Sequence, residues 1–181
     1  PGGDKIGRRR LDTHFQGFIK LGATLNFEHK ENFFKVDAPE LKGTYMLLDE
    51  ASVTGTANIV LAAVCAQGTT TIYNAACEPH VQDLAHLLNA MGANISGIGT
   101  NMLTINGVEN LHGAEYTVQP DYIEVGSYIT ASVVTGGELT IPDAGEPQTL
   151  QVMQRAFSKL GVDWTRNGRN LVVPQQPVRS I

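Results

Sequence analysis

Apolar residues recur along the chain at helical spacing. Val81, Leu84, Leu88 and Met91 fall at i, i+3, i+7 and i+10, and Leu150, Met153, Phe157 and Leu160 do the same; such a stripe marks one face of an amphipathic helix. Leu11, Phe18 and Leu21 give a weaker third stripe, with His14 standing where the others carry an apolar residue. Gly22, Gly92 and Gly161 follow the three stripes and predict helix ends closed by a left-handed residue. Pro79 and Pro147, each preceded by a glutamate, suit the first helical position.

These glycines are spaced by 70 and 69 residues, and a period of that kind points to a repeated structural unit. Other parts repeat with it. Leu41-Lys42-Gly43 and Leu111-His112-Gly113 precede strand-like runs at 45–48 and 116–118, and further β-like runs stand at 70–73 and 139–141. Segments 53–66 and 123–134 are apolar or small all round, which predicts interior helices. Each unit therefore reads as two helices and about four short strands, one sheet face covering the helices. Three units about an axis would set helices at the centre and sheets outside, an inverted (inside-out) α/β barrel. The first unit lacks its opening portion, so the chain is expected to begin inside a domain and its third unit to belong to a neighbouring one.

Composition narrows the class without changing this architecture. With 42% hydrophobic and 17% charged residues, the chain falls among soluble globular proteins. Its 181 residues suit one domain, or one plus part of another. A formal net charge of −5 speaks against a nucleic-acid binder, which is usually basic. The longest apolar stretch, 59–66, falls far short of the roughly 20 residues that span a bilayer, so no membrane association is expected. The opening Pro1-Gly2-Gly3-Asp4 leads into charge rather than an apolar signal region, and two cysteines make neither a disulfide framework nor a metal pair; a cytoplasmic protein is predicted. Cys65 and Cys77 are read as small buried hydrophobes.

One turn breaks the repeat. Before the second and third amphipathic helices the turns at 74–79 and 142–147 are uncharged or acidic, whereas the first copy reads Pro1-Gly2-Gly3-Asp4-Lys5-Ile6-Gly7-Arg8-Arg9-Arg10. Glycines let backbone N–H groups approach a ligand, a helix beginning near Asp12 presents a partial positive charge, and guanidinium groups grip phosphate oxygens in pairs. The chemistry fits a phosphate site; a solvated basic surface loop, with Asp4 and Asp12 in structural ion pairs, is the competing reading.

The motif from Pro1 through Asp12 closely resembles the active-site loop of the UDP-N-acetylglucosamine 1-carboxyvinyltransferase family, which reads PGGC-x-IG-x-RP-x-D. Ala51-Ser52-Val53-Thr54-Gly55-Thr56, Asn74-Ala75-Ala76-Cys77-Glu78-Pro79, Gly92-Ala93-Asn94-Ile95-Ser96-Gly97-Ile98-Gly99 and the stretch from Pro120-Asp121 to Gly126 resemble the family in the same order. The resemblance implies two inverted barrels of three repeats each, with 1–119 in the first barrel domain (the end of one repeat plus a full repeat) and 120–181 a repeat of the second. It implies transfer of the enolpyruvyl group of phosphoenolpyruvate to the 3'-hydroxyl of UDP-N-acetylglucosamine with release of phosphate, the first committed step of peptidoglycan synthesis, and no metal or organic cofactor.

Position by position, the resemblance puts Asp4 at the family's cysteine, which protonates the methylene carbon of phosphoenolpyruvate and aids product release. Arg9 matches the loop arginine on phosphate. Arg10, Leu11, Asp12 and Thr13 match the segment along the uridine, with Asp12 accepting from the uracil or ribose edge. Glu50, Ala51, Ser52 and Val53 match the stretch beside the diphosphate, and Glu78 matches a glutamate near the closed active site, where helix capping is an equal reading. This chain departs from the family at Asp4, at Glu50 (commonly basic), at Thr54 (glycine) and at Arg10 (proline), and Arg10 is a candidate to restore the charge Glu50 removes. The family's catalytic base and other phosphoenolpyruvate ligands have no counterpart here, so the segment alone is expected to bind weakly and turn nothing over. Two alternatives share such repeats: a shikimate 3-phosphate enolpyruvyl transferase, which lacks the PGG loop, and a noncatalytic polyanion or RNA-binding module, which the loop carboxylates oppose.

Overall fold

The computed structural model describes residues 10–28 and 33–178 and divides the chain into two compact units, Pro1–Thr117 and Val118–Ile181.

The first unit contains helices α1 (Asp12–Lys20), α2 (Val53–Ala63) and α3 (Pro79–Ala90) and strands β1 (Thr24–Glu28), β2 (Phe33–Asp37), β3 (Tyr45–Leu47), β4 (Thr69–Tyr73), β5 (Asn94–Ser96) and β6 (Met102–Asn106). Strands β1 and β2 form a separate antiparallel pair. The other four make a mixed sheet in the order β3-β4-β6-β5, with β3 parallel to β4 across the α2 crossover and the remaining pairs antiparallel. Alternation decides which face is covered. Met46, Ile72, Leu103, Ile105 and Ile95 point inward and register with one another across the strands, and α2 and α3 close over them with Ile59, Val60, Ala63, Ala85 and Leu88.

The second unit repeats the plan with α4 (Tyr122–Val134), α5 (Pro147–Lys159) and a three-stranded sheet of β7 (Leu139–Ile141), β8 (Thr165–Asn167) and β9 (Asn170–Val173), ordered β7-β9-β8. Its core gathers Val125, Ile129, Leu150, Trp164, Leu171 and Val173. Trp164 meets Phe157 edge to face at 5.8 Å.

The repeat holds at the level of single bonds. Gly22, Gly92 and Gly161 have φ of 102°, 97° and 74°. The next N–H in each case turns back to the helix, from Ala23 to Phe18 O, Ala93 to Leu88 O and Val162 to Phe157 O. That backbone region costs an L side chain strain and costs glycine nothing. Lys42 N–H donates to Leu21 O as His112 N–H donates to Met91 O, and Pro79 and Pro147 open their helices.

Several sequence expectations are corrected. Residues 116–118 form no strand: Tyr116 Oη instead donates to Asp83 Oδ1 at 2.7 Å, and burial, with that carboxylate beside it, pushes the phenol up to about 12. Cys65 and Cys77 are both exposed, because one follows the end of α2 and the other sits in the turn before α3. Within their own units the apolar helices keep some exposed residues, Leu61 on α2 and Ile123, Tyr128 and Val134 on α4. No described helix is long and apolar enough to cross a membrane.

Candidate functional site

The start of α1 and the turn between β3 and α2 build one cleft. Arg10, Asp12, Thr13, Asp49 and Glu50 line it, around a volume of about 120 Å³. Helix α1 reaches this place because it packs closely on α2. Gly17 lies so near Ile59 that a Cβ there would overlap Cγ1 and Cδ1 of that side chain, and a Cβ on Gly55 would stand 2.9 Å from Thr13 Cγ2.

Side chains stitch the two walls together. Thr13, only 3% exposed, donates its hydroxyl to Glu50 Oε1 at 3.1 Å. Gln16 Nε2 donates to Asp49 Oδ2 at 2.9 Å. Arg10 Nε donates to Asp12 Oδ2 at 2.9 Å, and this hydrogen bond, with the guanidinium charge behind it, holds the Asp12 carboxylate below the usual carboxylate range. The Arg10 pKa is raised in turn, chiefly by Asp12 and further by Glu50 and Asp49.

Helix α2 supplies the other feature. Ser52 caps it, its Oγ accepting from Gly55 N–H at 3.2 Å, while the N–H groups of Val53 and Thr54, as the first of the helix, have no partner within it. Asp121 occupies the matching position in the second unit and caps α4 through Ile123 and Glu124 N–H.

Of the residues singled out from sequence, Arg10, Asp12, Thr13 and Glu50 converge on the cleft. Leu11, Ala51, Ser52 and Val53 adjoin them in the chain without lining it. Asp4 and Arg9 lie outside the described residues. Glu78 stands at the start of α3 and makes no side-chain cap there, contrary to the capping reading; its Oε2 is shielded and has no partner among the described residues. Asp49 was missed. Its signal was slight, a single carboxylate before Glu50 in a turn, and only its place opposite α1 gives it a role.

With Asp12, Asp49 and Glu50 against Arg10, the described lining is rich in acceptors. It suits hydroxyl and imide N–H donors, such as those of a nucleoside, better than bare phosphate. Anionic groups are better met by the first N–H groups of α2, which have no partner within the helix, and by its positive end. Substituting Arg10 by alanine is expected to return the Asp12 titration, followed by carboxyl NMR, upward to the ordinary range. Because the native shift is downward, the stabilising pair is present above the ordinary carboxylate pKa and is lost as pH falls through the lowered value. An unmoved midpoint in the variant would exclude Arg10 as the cause.

Known proteins share the fold that carries this cleft. Among solved structures, the enolpyruvyl transferase NikO from Streptomyces tendae matches with a TM-score of 0.83 at 22% identity, over 95% of this chain and 44% of that one. An EPSP synthase from Acinetobacter baumannii matches at 0.70 and 20% identity, over 97% and 42%. The fold is thus the inside-out α/β fold of the enolpyruvyl transferases. A sequence profile of the EPSP synthase (3-phosphoshikimate 1-carboxyvinyltransferase) family matches residues 1–181, and the chain belongs to that family. It is 54% identical over 181 residues to the UDP-N-acetylglucosamine 1-carboxyvinyltransferase of Bacteroides thetaiotaomicron, covering 42% of that protein. To the enzymes of the same name from Bacteroides fragilis and Treponema denticola it is 56% and 51% identical over 176 residues, or 97% of this chain and 40% of theirs. The chain therefore spans about two-fifths of the length of these relatives.

Proposed function

We propose that this chain is part of a longer cytoplasmic enzyme that transfers the enolpyruvyl group of phosphoenolpyruvate to the 3'-hydroxyl of UDP-N-acetylglucosamine in peptidoglycan synthesis. The observation that carries this reading is identity above 50% to relatives of that name along essentially the whole chain. Likeness to the shikimate enzyme stays near 20%. The division at residues 117 and 118 supports assigning 1–119 and 120–181 to two barrel domains of such an enzyme.

In this reading the cleft holds the nucleoside end. Asp12 accepts from the uracil or ribose edge, Thr13 and Glu50 shape the wall, and the diphosphate lies over the Val53 and Thr54 N–H groups near the Ser52 hydroxyl. Arg10 supplies the cation that Glu50 does not. Arg9 takes phosphate and Asp4 protonates the methylene carbon of phosphoenolpyruvate, while Glu78 borders the closed site. No step needs a metal or organic cofactor.

Full-length protein mixed with both substrates is expected to release one phosphate per nucleotide sugar consumed, and not to do so with shikimate 3-phosphate. Phosphate release from phosphoenolpyruvate with shikimate 3-phosphate as the sole acceptor would reassign the acceptor. Binding of RNA in place of the nucleotide sugar would move the protein out of catalysis altogether.

A further inference from the structure

We propose that His14 is a positioning residue that fixes α1 against α2 and thereby sets the spacing of the two walls of the nucleotide cleft; this rests on the reading of that cleft given above. The sister helices carry Leu84 and Met153 where α1 carries His14, and both pack against the apolar cores of their units. A polar ring at this place is a departure that core packing does not require.

Its contacts show what it does instead. Asn58 Nδ2 lies 2.8 Å from His14 Nδ1 and Thr54 Oγ1 lies 3.3 Å from Nε2. With the amide donating to Nδ1, the ring carries its proton on Nε2 and donates to the threonine. Thr54 and Asn58 are one turn apart on α2 and face the same side, so the imidazole spans a full turn of its neighbour with both nitrogens. This clamp fixes α1 along and around its axis, which the apolar contact of Gly17 with Ile59 does less directionally. Thr54 is also where the family resemblance leads one to expect glycine, and a glycine offers no hydroxyl. The clamp sits one residue beyond Thr13 and two beyond Ser52, beside both walls of the cleft.

The test uses the full-length protein with His14→Leu, which restores the apolar residue of the sister helices, and His14→Gln, whose amide can accept from Asn58 and donate to Thr54. Nucleotide affinity is measured by calorimetry and turnover with both substrates varied. His14→Leu is expected to raise the Kd and KM for UDP-N-acetylglucosamine by roughly tenfold, the scale of one or two net hydrogen bonds. The expected kcat at saturation is unchanged and the Tm is no lower. His14→Gln is expected to recover most of the affinity. Asn58→Leu should reproduce the loss, and adding it to His14→Leu should cost little more. Wild-type affinity in His14→Leu overturns the positioning role, as does equal weakening by leucine and glutamine with a fallen Tm, the mark of a packing role alone. Failure of the wild type to bind the nucleotide sugar overturns the cleft assignment itself, and this inference with it.

Discussion

Replacing Asp4 by asparagine in the full-length protein is expected to lower kcat by about 10²–10⁴-fold, the usual contribution of a positioned general acid, with little change in nucleotide-sugar affinity. The amide has nearly the shape of the carboxyl group and cannot give up a proton to the methylene carbon. The surroundings matter to this result. Lys5, Arg8, Arg9 and Arg10 are the neighbours of Asp4 in sequence, and cations close to a carboxyl group lower its pKa. In the proposed role, Asp4 is expected to become an effective acid near neutral pH only when bound phosphate cancels that charge and the closing site excludes water. Turnover should therefore fall as pH rises through the pKa of Asp4 in the substrate complex, and Asp4→Asn should lose that limb of the profile. Asp4→Cys restores a group that can both donate a proton and act as a thiolate. It should keep substantial activity and become sensitive to an epoxide such as fosfomycin, to which the Asp4 protein is expected to be resistant. Strong inhibition of the native protein by that epoxide, or full turnover by Asp4→Asn, would remove Asp4 from the acid role.

Much of the fold was legible because its signals are local. The left-handed residue after each amphipathic helix needs glycine, so Gly22, Gly92 and Gly161 announced both the helix ends and the period. The prolines at 79 and 147 fixed two helix starts in the same way. Expectations failed where a partner distant in sequence decides the outcome. Residues 116–118 form no strand, and the Tyr116 hydroxyl is held by Asp83, 33 residues earlier. Cys65 follows an apolar run yet lies beyond the face of α2 that meets the sheet. The cleft shows the same limit. Thr13 and Glu50 are 37 positions apart, and nothing in the spacing of either joins them; resemblance to a family did. That route named Glu50 and left out Asp49 and the His14 clamp, which depend on how this chain packs α1 against α2.

That packing gives the second large effect. Gly17→Ala should raise the helix propensity of α1 by about 1 kcal/mol, so on local grounds the change is stabilising. Tertiary structure reverses the sign. The new methyl would overlap Cγ1 and Cδ1 of Ile59, a residue with 0% exposure in the centre of the core, and a fully enclosed side chain has no free rotamer to adopt. Overpacking of this kind costs about 1–3 kcal/mol, and forcing α1 away from α2 also strains the Thr13 bond to Glu50 and the His14 clamp. The expected result is a Tm lowered by a few degrees, about 2–4 °C for each net kcal/mol lost in a chain of this size, with nucleotide affinity falling alongside it because the cleft walls ride on those two helices. Gly113→Ala is the control, since a methyl there meets nothing within 4 Å, and its Tm should stay near wild type. Ile59→Ala alone should cost about 2–5 kcal/mol through the cavity it leaves. Combined with Gly17→Ala it should cost less than the two separately, because the methyl then fills part of that cavity. Strict additivity of the two changes, or a Gly17→Ala protein as stable as the control, would mean that α1 does not lie against Ile59 as described.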